Sequence, residues 1–152
     1  MENQKPILYV EDQENDVFLF ERASKGAGVL NPLKIVQDGQ EAMDYLNGTP
    51  PFGDRGRHPV PRLVLLDLKL PRKSGFEVLE WVRQQPELRR LPIVIFTSSA
   101  HDHDIHRAYQ LGANAYLVKP SSLDKLSETV KAIKDFWLTL NRIPQAGKMT
   151  NS

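Results

Sequence analysis

Apolar positions along the chain fall into two periodicities. Four short runs are apolar almost without interruption: PILYV (6–10), LVLLDL (63–68), PIVIFT (92–97) and AYLV (115–118), with LKIVQ (33–37) as a weaker fifth. Runs of this length, rich in Val, Ile and Leu, read as strands buried on both faces. Between them the spacing turns helical. NDVFLFERASKGAG puts Val17, Phe20 and Ala23 or Ala27 on one face, and GQEAMDYLNG turns Ala42, Met43 and Leu46 inward. GFEVLEWVRQQPEL repeats Phe76, Leu79 and Val82, and HDHDIHRAYQLGA offers Ile105, Ala108 and Leu111. A last stripe from Ser122 to Leu140 runs through Leu123, Leu126, Val130, Ile133, Trp137 and Leu140. At roughly 1.5 Å per residue that helix would be about 28 Å long. A strand spans only ~17–20 Å, so the last turns, with Phe136, Trp137, Leu138 and Leu140, are expected to overhang the sheet.

Five alternations of strand and helix predict a doubly wound α/β domain, a parallel sheet covered on both faces. Folds of this kind place their sites outside the carboxyl ends of the strands. A Pro/Gly/Arg-rich loop, NGTPPFGDRGRHPVP (47–61), and a polar tail stand outside the regular plan. The arginines and histidine at Arg55, Arg57, His58 and Arg62 read as a solvated loop with a weaker claim to an acidic partner.

Composition narrows the function. The balance of 20 basic and 19 acidic residues leaves a net charge of +1, which argues against nucleic-acid binding by bulk charge and against a polybasic membrane anchor. The absence of cysteine excludes disulfides, thiol catalysis and zinc–thiolate sites. No run approaches the ~20 apolar residues that cross a bilayer, and the start, MENQKPILYVED, has no signal-peptide core. A cytoplasmic domain is expected.

Chemistry enters at the strand ends. The first strand ends in Glu11 and Asp12, the third at Asp67, the fourth at Thr97 with Ser98 following, and the fifth at Lys119 with Pro120. Each has an ordinary use: an Asp after a strand caps a turn, Asn15 or Asp16 would cap the next helix, and Lys-Pro starts a loop. Together, on one rim, they form three carboxylates, a hydroxyl and an ammonium. Clustered carboxylates repel unless a cation joins them, and oxygen-only ligands suit Mg²⁺. Asp67 would then be a nucleophile toward phosphorus, with Lys119 and Thr97 stabilising the transferring group. In HDHDIH, His103 and His106 lie one turn apart, but a solvated helix start capped by Asp102 or Asp104 is the simpler reading.

ILYVEDQEND, LVLLDLKLPRKSGFEVL, PIVIFTSS and GANAYLVKP together resemble the receiver domain of two-component response regulators over about residues 5–140. The resemblance implies the flavodoxin-like receiver fold, strand order 2-1-3-4-5 with five helices. It implies a phosphoacceptor Asp67, with Mg²⁺ held by Glu11, Asp12, Asp67 and the backbone carbonyl of Lys69. It makes Thr97 the switch hydroxyl, Tyr116 the switch aromatic and Lys119 the conserved lysine, and it implies a cis Lys119–Pro120 bond. Glu11 stands where aspartate is commoner, and Lys69 and Ser99 flank the path of hydrolytic water, so both are expected to tune phosphoryl lifetime. The expected organisation is a receiver domain at 1–142 and a tail at 143–152, with no output domain. The loop and the late FWLTLNRIP are similar to the small regulators paired with phytochrome kinases. The expected function is a stand-alone response regulator, not an enzyme in the ordinary sense, phosphorylated by a sensor histidine kinase. A homodimer through the fourth helix, fifth strand and fifth helix is expected, without nucleic acid or membrane. The alternatives are a phosphorelay intermediate or phosphate sink. A haloacid-dehalogenase-type phosphatase is disfavoured because it needs a second Asp where this chain has Lys69.

Overall fold

The computed structural model describes residues 5–144; the end of the expected tail, 145–152, lies outside the described residues. Five strands, β1 (Ile7–Val10), β2 (Leu33–Val36), β3 (Leu63–Leu66), β4 (Ile93–Thr97) and β5 (Ala115–Val118), form one parallel sheet in the order β2-β1-β3-β4-β5. Five α-helices alternate with them: α1 (Glu14–Gly26), α2 (Gly39–Asn47), α3 (Gly75–Gln84), α4 (Asp102–Gln110) and α5 (Leu123–Ile133). This is the doubly wound receiver architecture. Strand parity divides the core. Ile7, Tyr9, Leu63, Leu65, Val94 and Phe96 face α1 and α5, while Leu8, Val10, Val64, Leu66, Ile93 and Ile95 face α2, α3 and α4. The three central strands are buried throughout, which is why their sequences carry no polar alternation.

The long last stripe departs from its expected form. Beyond Ile133 the helix continues as a π-helix over Lys134–Leu140. A π turn bonds i to i+5, so the inward position after Ile133 is Leu138, while Leu140 is 70% exposed. Leu123, the first residue of the stripe, is also exposed. The expected overhang is thus partly redirected into the core by a change of helical period.

The 47–61 loop is not a loosely solvated segment. Arg55 turns inward and donates to the carbonyls of Tyr45, Leu46 and His58, each at 2.8 Å. Tyr45, Phe52 and His58 meet one another in tilted and edge-to-face contacts, with the Arg55 guanidinium 6.0 Å from the Tyr45 ring centroid. Arg62 is buried and donates to the Asn141 carbonyl. Only Arg57 among the named arginines is left facing solvent without such a role. The cis peptide among the described residues is Pro50–Pro51, not Lys119–Pro120; X–Pro isomers differ by only about 0.5–1 kcal/mol, so local sequence does not decide between them.

Two glycines let the β3–α3 connection fold tightly over the strand ends. A Cβ on Gly75 would lie 2.2 Å from the Asp67 carbonyl oxygen, and one on Gly39 would lie 1.9 Å from the Lys73 carbonyl oxygen. The same connection holds Arg72 at φ 65°, with its guanidinium 3.1 Å from Asp38, the N-cap of α2. Ser74 and Glu77 close a reciprocal capping box at the start of α3. Asp67 is therefore carried by a buried strand and backed by the first turn of a well-capped helix.

Candidate phosphoacceptor site

The carboxyl rim of the sheet gathers the residues the strand ends predicted. Glu11 follows β1, its backbone N–H paired with the Val36 carbonyl at 3.0 Å. Asp67 follows β3, its N–H reaching the Val10 carbonyl at 3.2 Å. Thr97 ends β4 and is buried, and the Lys119 N–H donates to its carbonyl at 2.7 Å. Parallel pairing thus fixes the four chain segments in register before any side chain acts.

Carboxylate oxygens of Glu11, Asp12 and Asp67 lie within 4.8 Å of one another. Such a donor set, oxygen-only and partly buried, could hold a metal ion. The Lys119 ammonium sits against the cluster, donating to Asp67 Oδ2 at 2.9 Å, to Asp16 Oδ2 at 2.8 Å and to Glu11 Oε1. The second Asp67 oxygen accepts from the Leu68 N–H at 2.7 Å. Glu11 also accepts from the Gln13 N–H at 3.1 Å and, at 3.4 Å, from the Tyr9 hydroxyl.

Burial drives the electrostatics. Glu11 is wholly inaccessible, and that burial, reinforced by the Asp67 charge and opposed by its bond to Lys119, pushes its carboxyl up to about 7. Burial alone would lower the Lys119 ammonium, but its bonds to Asp16, Glu11 and Asp67 outweigh it and hold the group above the ordinary lysine range. Burial, then the nearby carboxylates, raises the Tyr9 phenol. Beneath the rim, Tyr9, Phe20 and Phe96 pack as an aromatic triangle with centroids 4.8–6.2 Å apart. Tyr9 thereby ties the core under α1 to the buried carboxylate.

Beside the cluster, a cleft is lined by Asp12, Lys69, Ser74, Phe76, Asp104 and Arg107, with Ser99 on its wall. The Arg107 guanidinium lies 4.2 Å from the Phe76 ring centroid. Ser99 Oγ donates to Asp104 at 2.6 Å, and the Tyr116 hydroxyl donates to the Ser99 carbonyl at 3.0 Å. Lys69 and Ser99 therefore line one cleft, and Tyr116 is tied to its wall through the Ser99 carbonyl.

Two acidic residues have partners that local reading did not assign. Asp16, expected as a cap, serves Lys119 instead; α1 starts after Gln13 with no side-chain cap. Asp104 binds Ser99, and α4 follows His101, again without a side-chain cap. His103 and His106 are exposed, and the acidic triad is the only metal-capable cluster among the described residues.

A doubly wound sheet presenting three carboxylates and a lysine at its carboxyl rim defines a receiver-type module. Residues 7–131 match the response regulator receiver domain family, and the chain belongs to it. It is similar to the probable methanogenesis regulatory protein FilR2 of Methanothrix harundinacea (strain 6Ac), 41% identical over 138 residues, 91% of this chain and 86% of that protein. It is also similar to response regulator Rcp1 of Synechocystis sp. (strain ATCC 27184 / PCC 6803 / Kazusa), 39% identical over 142 residues, 93% of this chain and 95% of that one. The solved structure of the phosphorylated cyanobacterial phytochrome response regulator RcpA aligns with a TM-score of 0.86 at 37% identity, covering 93% of this chain and 99% of that one. The Mn²⁺-bound form of Rcp1 aligns with a TM-score of 0.82 at 38% identity, covering 92% and 99%. Among the described residues no helix is long and apolar enough to cross a membrane.

Proposed function

We propose that the chain is a stand-alone, phosphorylation-controlled response regulator, with Asp67 as phosphoacceptor and a sensor histidine kinase, of phytochrome type, as donor. The observation that carries this reading is the joint placement of Glu11, Asp12 and Asp67 beside the Lys119 ammonium. An Asp67 oxygen attacks the phosphorus, an O–P bond forms, the donor's N–P bond breaks, and its electron pair returns to the imidazole nitrogen. Lys119 offsets charge on the transferring oxygens, and the Leu68 N–H holds the second Asp67 oxygen. Glu11, Asp12, Asp67 and the Lys69 carbonyl would hold Mg²⁺, which when bound neutralises part of the phosphoryl charge. Phytochrome pairing is supported by the similarity to the cyanobacterial phytochrome response regulator RcpA.

Thr97, at the buried end of β4, is assigned as the switch hydroxyl and Tyr116 as the switch aromatic, since the Tyr116–Ser99 bond links β5 to the connection after Thr97. Lys69 and Ser99 are assigned to tuning the phosphoryl lifetime from the shared cleft. With Mg²⁺ and acetyl phosphate, the wild type is expected to shift on a phosphate-affinity gel and Asp67→Asn is not; equal behaviour of the two would remove the assignment. In the same assay Lys69→Ala is expected to change the decay rate more than about twofold, and a smaller change would discard its tuning role.

The output is assigned to α4, β5 and α5, which expose Tyr109, Val118 and Leu123 respectively. This surface is proposed to form a homodimer that strengthens on phosphorylation. Light scattering after size exclusion should report a larger mass with acetyl phosphate than without, and an unchanged monomer in both would sink the dimer.

A further inference from the structure

Lys119 makes one contact more than the three-carboxylate metal cluster explains. An ammonium has three N–H donors, and here they go to three carboxylates on three separate elements: Glu11 after β1, Asp16 in the first turn of α1, and Asp67 after β3. Asp16 is not in the metal-capable cluster and is not the cap of its helix. Its carboxylate side chain is 35% exposed, whereas that of Glu11 is fully enclosed.

The three contacts differ in what phosphoryl transfer does to them. When an Asp67 oxygen attacks acetyl phosphate, its O–P bond forms, the donor's O–P bond breaks, and acetate leaves with the electron pair. The Asp67 carboxylate becomes an acyl phosphate, a mixed anhydride, so its own ion pair with Lys119 is the one the reaction removes. Glu11 and Asp16 take no part in bond making. A lysine stem has four flexible methylenes, and with Glu11 alone the ammonium would swing about a single anchor. Asp16 supplies the second, from a helix seated on the sheet by the buried Phe20.

We propose that Asp16 is a positioning residue that holds the Lys119 ammonium in place while Asp67 passes from carboxylate to acyl phosphate. This rests on Asp67 being the phosphoacceptor. The role is one of geometry: an oxygen acceptor at this point matters, and its negative charge is secondary.

The test compares initial phosphorylation rates of the full chain, with Mg²⁺ and acetyl phosphate, for wild type, Asp16→Ala and Asp16→Asn, beside their melting temperatures. Asp16→Ala is expected to be about tenfold slower with melting little changed, because a small misplacement of a group acting on the transferring atoms is costly in rate. Asp16→Asn, which keeps an acceptor oxygen and discards the charge, is expected to return to within about threefold of wild type. An unchanged rate for Asp16→Ala would overturn the proposal. So would equal slowing, or equal acceleration, of both variants, since either makes charge the operative property. If instead Asp67→Asn accepts the phosphoryl group as readily as wild type, the phosphoacceptor assignment falls and this inference falls with it.

Discussion

Replacing Lys119 with methionine is expected to destabilise the metal-free protein by about 3–5 kcal/mol near pH 8 and by clearly less near about pH 5.5. The ammonium is the shared partner of Glu11, Asp16 and Asp67, and removing one member of a buried ionic cluster strands the others without compensation. The pH dependence follows from Glu11, whose carboxyl stands at about 7 in the fold against an ordinary 4.5. A carboxyl raised in the folded state binds a proton there that the unfolded chain has released, so its contribution to stability is lost as pH climbs from 4.5 toward 7. Without Lys119, the bond and charge that hold Glu11 down disappear while burial and Asp67 remain. Its folded value rises further, and the losing window extends upward. Lys119 itself, raised above 10.5, stays charged throughout this range and adds no slope. Urea denaturation in EDTA at the two pH values reads the difference. Equal losses at both would show that Glu11 is not the group responding.

Gly75→Ala is expected to cost stability at or above the upper end of the ~1–3 kcal/mol typical of overpacking, and to lower phosphoryl acceptance with it. The new methyl would meet the Asp67 carbonyl oxygen at 2.2 Å and the Leu68 Cα at 2.8 Å. These are backbone atoms at the end of a buried strand, with no flexible tip to move aside. Relief requires α3 to lift away from β3, straining the Gly75 N–H bond to the Leu68 carbonyl at 2.9 Å. Gly26→Ala is the control, since nothing lies within 4 Å of a Cβ there, and helix propensity favours alanine by up to ~1 kcal/mol. Urea unfolding of the two variants should move in opposite directions. A Gly75→Ala protein as stable as wild type would show that the close approach is not needed.

Much of this architecture was legible in the chain because its signals are local. Val94, Phe96, Ile93 and Ile95 carry an unbroken apolar run that announces a doubly covered strand, and parallel strands must present their carboxyl ends together. Glu11, Asp12, Asp67, Thr97 and Lys119 were therefore readable from their places at strand ends. Asp16 was not, because its partner lies 103 residues away, and nothing in a local pattern separates a helix-capping aspartate from one that reaches another strand. Leu138 and Leu140 exchanged roles for a different reason. Periodicity assumes one helical pitch, and the π turns after Ile133 change it. Arg55 and Arg62 were read as surface charges because length and polarity suggest water, whereas three carbonyls and the Asn141 carbonyl occupy their donors.

Arg62 receives both ends of the described chain at one place: its N–H donates to the Pro6 carbonyl at 2.8 Å and its guanidinium to the Asn141 carbonyl. That junction sits at the amino edge of the sheet, across the full length of β3 from Asp67. One residue thus clasps the segment entering β1 to the segment leaving the last helix, a full strand length away from the rim that carries Asp67.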